Sequence, residues 1–242
     1  MKHQLLLITA LGLLCGCATF QPASEPAAEA WPLAQGARWV YAGTLIRTMG
    51  QGRVETNAVR LTCEVLESQV ERGHLVAKLR DFPLSLSPWD GPQTNACDVI
   101  IRTPAGAFHA LEANQARHVL ARLADPQDPL DDLLDVETQV LAWPLRAGQR
   151  WGEVAAIPRL DGMYCWQVES QQAERLFGIA GVTWWRQQTV FEIIYRTNPD
   201  HVIARFVPGI GLLATDYVHH GTPGEVHLKL VKFHPPPAAF GK

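Results

Sequence analysis

Short alternations of apolar and polar residues, separated by Gly, Pro and Asn, recur along most of the chain. A period of two, in stretches rich in Val, Ile, Thr, Tyr and Trp, is typical of half-buried β-strands. The pattern predicts a hairpin over 97–111 and strands over 38–47, 53–69, 74–82, 136–142, 150–155, 163–172, 182–196, 202–208, 211–219 and 226–234. We therefore expect a mainly β fold, either a curved antiparallel sheet or a sandwich.

One internal segment has a helical period instead. The apolar residues that recur at helical spacing are Ala116, Val119, Leu120 and Leu123. Asp125 and Pro126 should end this helix. Asp128 as N-cap, followed by Pro129, predicts a second short helix. The two predicted helices form a helical pair inserted at 111–135.

The phrase Trp-Pro-Leu-x-x-Gly-x-Arg-Trp occurs twice, at 31–39 and at 143–151. Its Pro fixes φ, its Gly permits a turn and its second Trp begins a strand. A second echo matches CEVLESQ, from Cys63, with CWQVESQ, from Cys165. We expect a single β-rich domain, 31–242, of two related halves, 31–110 and 143–234, with the helical pair between them. Alternatively, a turn followed by a strand is common in any β protein, and the two matching phrases arose by chance.

The N-terminal residues have the organisation of an export signal. Lys2 precedes an apolar run, Leu5–Leu14, which is too short to span a bilayer as a helix. The run ends in Leu-Cys-Gly-Cys, which resembles the bacterial lipoprotein box and implies that Cys17 is lipid-modified. We therefore expect a signal peptide at 1–16 and a lipidated tether at 17–30, which reaches about 20 Å as a coil. The alternative is an ordinary signal peptide that contains two cysteines.

The lipoprotein resemblance also implies a location. A diacylglycerol together with an N-linked acyl chain such as palmitate satisfies the rule that stable anchoring takes more than one chain. In Gram-negative lipoproteins an Asp after the acceptor Cys tends to retain the protein at the inner membrane. Ala18 follows Cys17 here, so the resemblance favours the outer membrane, facing the periplasm. The formal charge of −3, with no Lys/Arg cluster, argues against nucleic acid as a partner.

The cysteines beyond the predicted lipidation site are Cys63, Cys97 and Cys165. An odd number in an oxidising compartment permits at most one disulfide and leaves one thiol. The sequence does not select the pair. The neighbours of Cys63 and Cys165 are typical of buried strands, where a free Cys serves as a small apolar residue.

Candidate chemistry is sparse. A plausible register of the last hairpin places His220 opposite His227, with Asp216 on the same face, and such a trio could bind Zn²⁺. Polar rows of this kind also commonly face water. The sequence lacks His-Glu-x-x-His, Gly-x-Ser-x-Gly and Cys-x-x-Cys. We expect no catalytic residue and no cofactor, and a metal-dependent hydrolase is the third alternative for function.

Aromatic residues suggest binding instead. Trp184 and Trp185 must point to opposite faces if they lie in a strand, so at least one faces away from the core. We name them, together with Val119, Leu120 and Leu123 of the predicted helix, as candidates for contact with an apolar ligand or a partner protein. Core packing is the alternative explanation.

Two phrases connect the chain to known proteins. It opens with x-Pro-Leu-x-x-Gly-x-x-Trp-x-Tyr (31–41) and closes with Pro-Gly-x-Gly (208–211) followed by a hairpin. In this it resembles a group of uncharacterised bacterial envelope lipoproteins. More loosely, it is similar in fold to the outer-membrane receptor of lipoprotein sorting, a half-barrel that holds acyl chains. We expect a non-catalytic envelope lipoprotein that binds an apolar ligand or an envelope partner, because a concave β surface lined by Trp suits that role. A structural or assembly subunit of an envelope complex is the alternative.

Overall fold

The computed structural model describes residues 30–89, 97–154, 159–182 and 187–237, with Cys97 and Asp98 described through their backbone only. Within these ranges the chain forms one antiparallel sheet of twelve strands. The strands are β1 (Arg38–Thr48), β2 (Val54–Glu71), β3 (His74–Arg80), β4 (Cys97–Arg102), β5 (Ala107–Leu111), β6 (Gln139–Ala142), β7 (Arg150–Trp151), β8 (Trp166–Glu174), β9 (Gln188–Arg196), β10 (Asp200–Val207), β11 (Gly211–His219) and β12 (Gly224–His234).

The strands form two six-stranded meanders, β1–β6 and β7–β12, which are joined where β1 pairs with β12. The outer strands β6 and β7 lie against each other, so the sheet is nearly closed and barrel-like. The prediction of a mainly antiparallel, curved sheet is confirmed, and the sandwich alternative is wrong. Right-handed twist and bulges, such as those at Val40/Tyr41 and Arg205/Phe206, let one sheet curl around its own core.

Side chains from all twelve strands fill the enclosed space in one cluster. Among the largest that are fully buried are Trp39, Tyr41, Phe108 and Phe206. Two of them also satisfy backbone carbonyls: Trp39 Nε1 donates to the oxygen of Ile210 (2.6 Å), and the Tyr41 hydroxyl donates to that of Leu212 (2.9 Å). Burying a side chain of this size contributes about 1.5–3 kcal/mol, so the packed interior is the main source of stability.

Helix α1 (Ala113–Ala124) confirms the first predicted helix and covers the outer face of β3–β5. Its N-terminus carries a capping box made by Glu112 and Gln115. The apolar stripe of α1 packs on Val76, Val99, Ile101 and Leu111 in a second, smaller cluster. Strand β4 is therefore buried on both faces, which explains its continuous apolar run.

The second predicted helix is wrong. Leu130 and Asp132 have φ of 61° and 50°, which no α-helix accepts. The Asp128 carboxylate does accept a backbone N–H, from Leu130 (2.7 Å), but this closes a turn. Arg122 of α1 holds the turn by donating to the same carboxylate (2.9 and 3.0 Å). A single 3₁₀ turn, Val136–Thr138, precedes β6.

The repeated phrase precedes the first strand of each meander and makes the same backbone bonds both times. The N–H of Gly36 donates to the oxygen of Val65, and that of Gly148 donates to Val168, each at 2.9 Å. The N–H groups of Val65 and Val168 return the bond, to Ala37 and Gln149. We call 31–37 and 143–149 the two opening loops. Their equivalence is what a repeat would give, although the division into half-repeats stays a prediction.

Two details of the predicted repeat need correction. The register pairs Trp39 with Cys63 but Trp151 with Trp166, so Cys63 corresponds to Trp166 and not to Cys165. A shift of one residue reverses the face to which a side chain points. In addition, the first meander extends beyond 31–110 to include β6, so α1 and the turns after it lie inside it, between β5 and β6.

Candidate functional site

The two ends of the sheet differ in the chain segments that form them. At the tether end, where β1 begins, the N–H of Gly209 donates to the oxygen of Ala30 (3.0 Å), so the chain enters the body here. The β8–β9 connection crosses to β12 at this end, where Ala180 exchanges backbone bonds with Val231 and Phe233 (3.0 and 2.9 Å). The distal end, where β1 finishes, includes the turn 49–53 and the segments 81–89, 152–154, 159–165, 197–199 and 220–223.

Three separate segments meet in one network at the distal end. The carboxylate of Asp200, at the start of β10, accepts from the Tyr217 hydroxyl (2.8 Å) and contacts His219 Nδ1 (2.7 Å). Trp89, in the β3–β4 connection, lies beside this network. Its ring stands at 88° to the His219 ring, with centroids 5.5 Å apart. Gly224 makes room, since a Cβ there would lie 2.5 Å from the indole.

The electrostatics of this network fix the protonation states of Asp200 and Tyr217. Burial alone would raise the pKa of Asp200, but the hydrogen bonds with His219 and Tyr217 bring it below the usual value. Burial raises the pKa of Tyr217, and the bond to Asp200 raises it further. The Asp200 carboxylate therefore stays ionised while Tyr217 stays a neutral donor. Such a network fixes the orientation of its side chains.

The predicted metal trio is not assembled. Asp216 lies directly opposite His227 in the β11–β12 register, with 2.7 Å between Oδ1 and Nδ1. The other ring nitrogen of His227 is 2.8 Å from a Glu225 oxygen. His220 lies in the turn after β11 and contacts His201 instead (3.1 Å). Within the described ranges, no three His, Cys, Asp or Glu side chains are placed to hold a metal ion together.

Several predicted residues lie elsewhere. Cys17, Trp184 and Trp185 fall outside the described residues. Val119 and Leu123 of α1 are buried against the sheet and Leu120 is half-buried, so packing accounts for their apolar character. A ligand-binding role for them stays a prediction.

Of the three cysteines beyond the predicted lipidation site, Cys63 and Cys165 are buried. Cys165 is a free, buried thiol that lies 3.6 Å from the oxygen of Gly162, and burial raises its pKa. Cys63 is buried opposite Trp39, and the side chain of Cys97 is outside the described part of the chain. The expectation of at most one disulfide among the three therefore stays a prediction.

Two small cavities lie in the described part of the chain, and neither suits an acyl chain. The first, of about 30 Å³, lies beneath the β3–β4 connection and is lined by Leu84, Leu86, Thr215 and Tyr217 among others. A space of this size holds about one or two water molecules. The second, of about 160 Å³, is a polar groove on β8–β10, where Arg205 donates to both oxygens of Glu174 (2.7 and 2.6 Å).

Exposed apolar side chains occur at both ends. At the distal end Leu160 is 99% exposed and Trp89 is 46% exposed, with Val54 and Val136 also exposed. At the tether end Phe177 is 80% exposed and Val70 is 68% exposed. Sequence reasoning missed Trp89 and Leu160, because each is an isolated apolar residue in a loop. The sequence signal that could have identified these two residues is a single large apolar side chain close to Pro and Gly in an otherwise polar stretch.

Within the described ranges, no helix is both long enough and apolar enough to cross a bilayer. The chain matches no protein-family model and no curated protein. Among solved structures it is similar to a protein from Bacteroides fragilis described as exported and as having a YmcC-like fold. The two share 10% identity and a TM-score of 0.38 over 84% of this chain and 98% of that chain.

It is also similar to a Parabacteroides distasonis protein described as a lipoprotein, with 12% identity and a TM-score of 0.29 over 84% of this chain and 97% of that chain. Identities and TM-scores this low mark only a coarse likeness. Export and lipidation are thus properties stated for those two proteins.

Proposed function

We propose that this chain is a bacterial envelope lipoprotein, anchored through Cys17, whose body binds an envelope partner through its distal end. The anchor is supported by the order of Lys2, the apolar run and the lipoprotein box. The tether then leads to Ala30 at one end of the sheet. The opposite end is therefore the one presented away from the membrane.

The filled interior is the observation that carries the choice of a surface over a pocket. One cluster of buried side chains, drawn from every strand, occupies the space that a ligand-holding barrel would leave open. Binding of an apolar ligand inside the sheet would require these side chains to move apart. An outer surface is available without such a cost.

The distal end has the composition of a recognition surface. Trp89 and Leu160 supply exposed apolar area, and aromatic anchors of this kind dominate the energetics of many interfaces. The paired groups Asp200, Tyr217 and His219 supply a fixed polar rim beside Trp89. Because these titratable groups satisfy one another, we propose binding and not catalysis at this end.

The anchor is tested on the chain as cells make it. Mass spectrometry of the mature N-terminal peptide should find an acylated Cys17, and membrane fractionation should place the protein with the outer membrane. Cys17→Ser should leave the chain unacylated and move it to the soluble fraction. A soluble, unmodified wild-type chain would refute the anchor.

Partner binding is tested by a photo-crosslinking amino acid placed in the lipidated chain in cells. Leu160 at the distal end and Val70 at the tether end are matched positions, because both are highly exposed and apolar. We expect a discrete adduct from position 160 and none from 70, and Trp89→Ala should abolish it while Trp89→Phe retains part. Adducts from 70 alone, or from neither position, would contradict a distal binding surface.

A further inference from the structure

We infer that the tether end is a membrane-contact surface, on which Phe177 inserts into the headgroup region of the bilayer. The inference rests on the anchor proposed above and adds a second, non-covalent contact. It concerns the opposite end of the body from the proposed partner surface.

Phe177 is held outward by a loop that is itself fixed. Its neighbours Leu176 and Ile179 are half-buried and pack against the main cluster. One residue further on, the backbone of Ala180 is bonded to β12 on both sides. Phe177 is thus a large apolar side chain, 80% exposed, flanked by two half-buried ones. Because the loop already holds the ring in its exposed position, inserting the ring into the bilayer requires little further loss of conformational entropy.

The length of the tether limits how far this loop can lie from the membrane. Residues 17–30 span about 20 Å as a coil, which is shorter than a small domain is wide. Their end, Ala30, is bonded to Gly209 in the β10–β11 turn, at the same end of the sheet as the β8–β9 connection. An acylated Cys17 therefore keeps Phe177 within reach of lipid headgroups, whereas Leu160 lies at the far end.

Charge at this end fits a bilayer that contains anionic lipid. Arg175, two residues before Phe177, is exposed, as is Arg146 in the second opening loop, which bonds to the same strand β8. The neighbouring acid, Glu174, is already paired with Arg205. Basic side chains beside an apolar one are the usual composition of an interfacial contact.

The test compares Phe177 with Leu160, two exposed apolar residues at opposite ends. A fluorescent amino acid replaces one or the other in the full, lipidated chain, and acylation of Cys17 is first verified by mass. Each protein is reconstituted into vesicles of phosphatidylethanolamine and phosphatidylglycerol. Nitroxide-labelled lipid then quenches a probe in the bilayer, and aqueous iodide quenches a probe in water. Unchanged thermal unfolding confirms that each substitution leaves the fold intact.

We expect lipid quenching at 177 to exceed that at 160 by about threefold or more, and iodide quenching to show the reverse order. Equal iodide quenching at both positions, on chains with acylated Cys17, would overturn the inference while leaving the anchor intact. Protection of 177 from iodide without lipid quenching would indicate contact with a second copy and would also overturn it. Chains without acyl groups would refute the proposed function itself.

Discussion

The phrases at 31–39 and 143–151 share six residues, and their opening loops make the same backbone hydrogen bonds, yet the tryptophans that end the phrases differ in environment. Trp39 Nε1 donates to Ile210, whereas Trp151 Nε1, in the part of the chain that the structure describes, is buried without a hydrogen-bond partner. The phrase therefore determines the local turn, through its Gly and the return bonds to the second strand. What the Trp side chain meets depends on the strands contributed by the other meander.

The seams between the meanders differ in the same way. Strand β1 pairs with β12 along almost its whole length, and the backbones approach so closely that Gly43 has no room for a side chain. Strand β7 is only two residues long and merely lies against β6. One seam is thus a continuous ladder, and the other is a short contact at which Gln149 Nε2 donates to the oxygen of Ala142 (3.1 Å). The continuous seam should contribute more to stability.

Replacing a glycine at each seam should give the largest difference. A Cβ on Gly43 would lie 1.7 Å from the backbone oxygen of His227, so Gly43→Ala must push two strands apart and should cost about 3 kcal/mol or more. At the other seam, Gly152→Ala meets a Trp166 ring carbon at 3.2 Å and has φ of +67°, which costs about 1–2 kcal/mol. Urea unfolding of both variants measures this, and equal losses would contradict the contrast between seams.

Acid should destabilise the first meander through His109. The ring is buried under the 3₁₀ turn, where Nδ1 is 3.0 Å from the Thr138 hydroxyl, and burial lowers its pKa to about 4. The unfolded chain binds this proton near pH 6.5, so the stabilisation is present above that pH and is lost as pH falls towards 4. The lost free energy is about 3 kcal/mol.

The measurement is the free energy of unfolding of the wild type and of His109→Gln at several pH values between 7 and 4. The variant removes the titrating group, so the difference between the two proteins should shrink as the pH falls. A constant difference would show that His109 does not change protonation on unfolding.

The two tryptophans of the repeated phrase should respond unequally to loss of the indole N–H. Trp39→Phe leaves the Ile210 carbonyl without its donor and should cost about 1–3 kcal/mol beyond the packing loss. Trp151→Phe removes an N–H that has no described acceptor, so only the packing loss should remain. Denaturant unfolding of both variants provides the comparison. A larger cost at Trp151 would mean that its N–H finds an acceptor in solution.

The sequence predicted strand positions well because alternation is set locally, by which face of each strand is buried. Strands β1, β3, β11 and β12 begin within two residues of the predicted positions. The helix at 128–135 was mispredicted because Asp128 satisfies an N-cap and an Asx turn equally well, and only the φ of Leu130 separates the two. Local patterns do not contain that information.

The distal network was beyond sequence reasoning for a different reason. Trp89, Asp200 and Tyr217 come from three segments, and they meet only through the order in which the strands pair. The metal trio was mispredicted because the register assumed for the last hairpin was wrong. A turn centred on Pro223 and Gly224 would pair His220 with His227. The actual turn, 220–223, pairs Asp216 with His227.

The smallest effect should come from His227 in the second meander, with a sign opposite to that of His109. Burial alone would lower its pKa, but hydrogen bonds to Glu225 and Asp216 raise it above the usual value. The stabilisation is therefore complete below pH 6.5 and is lost as pH rises through the folded-state pKa. Because the side chain is 36% exposed, His227→Gln should cost less than about 1 kcal/mol at pH 5.5 and almost nothing at pH 9. A cost that grows with pH would show that the neutral ring, and not the ion pair, stabilises the last hairpin.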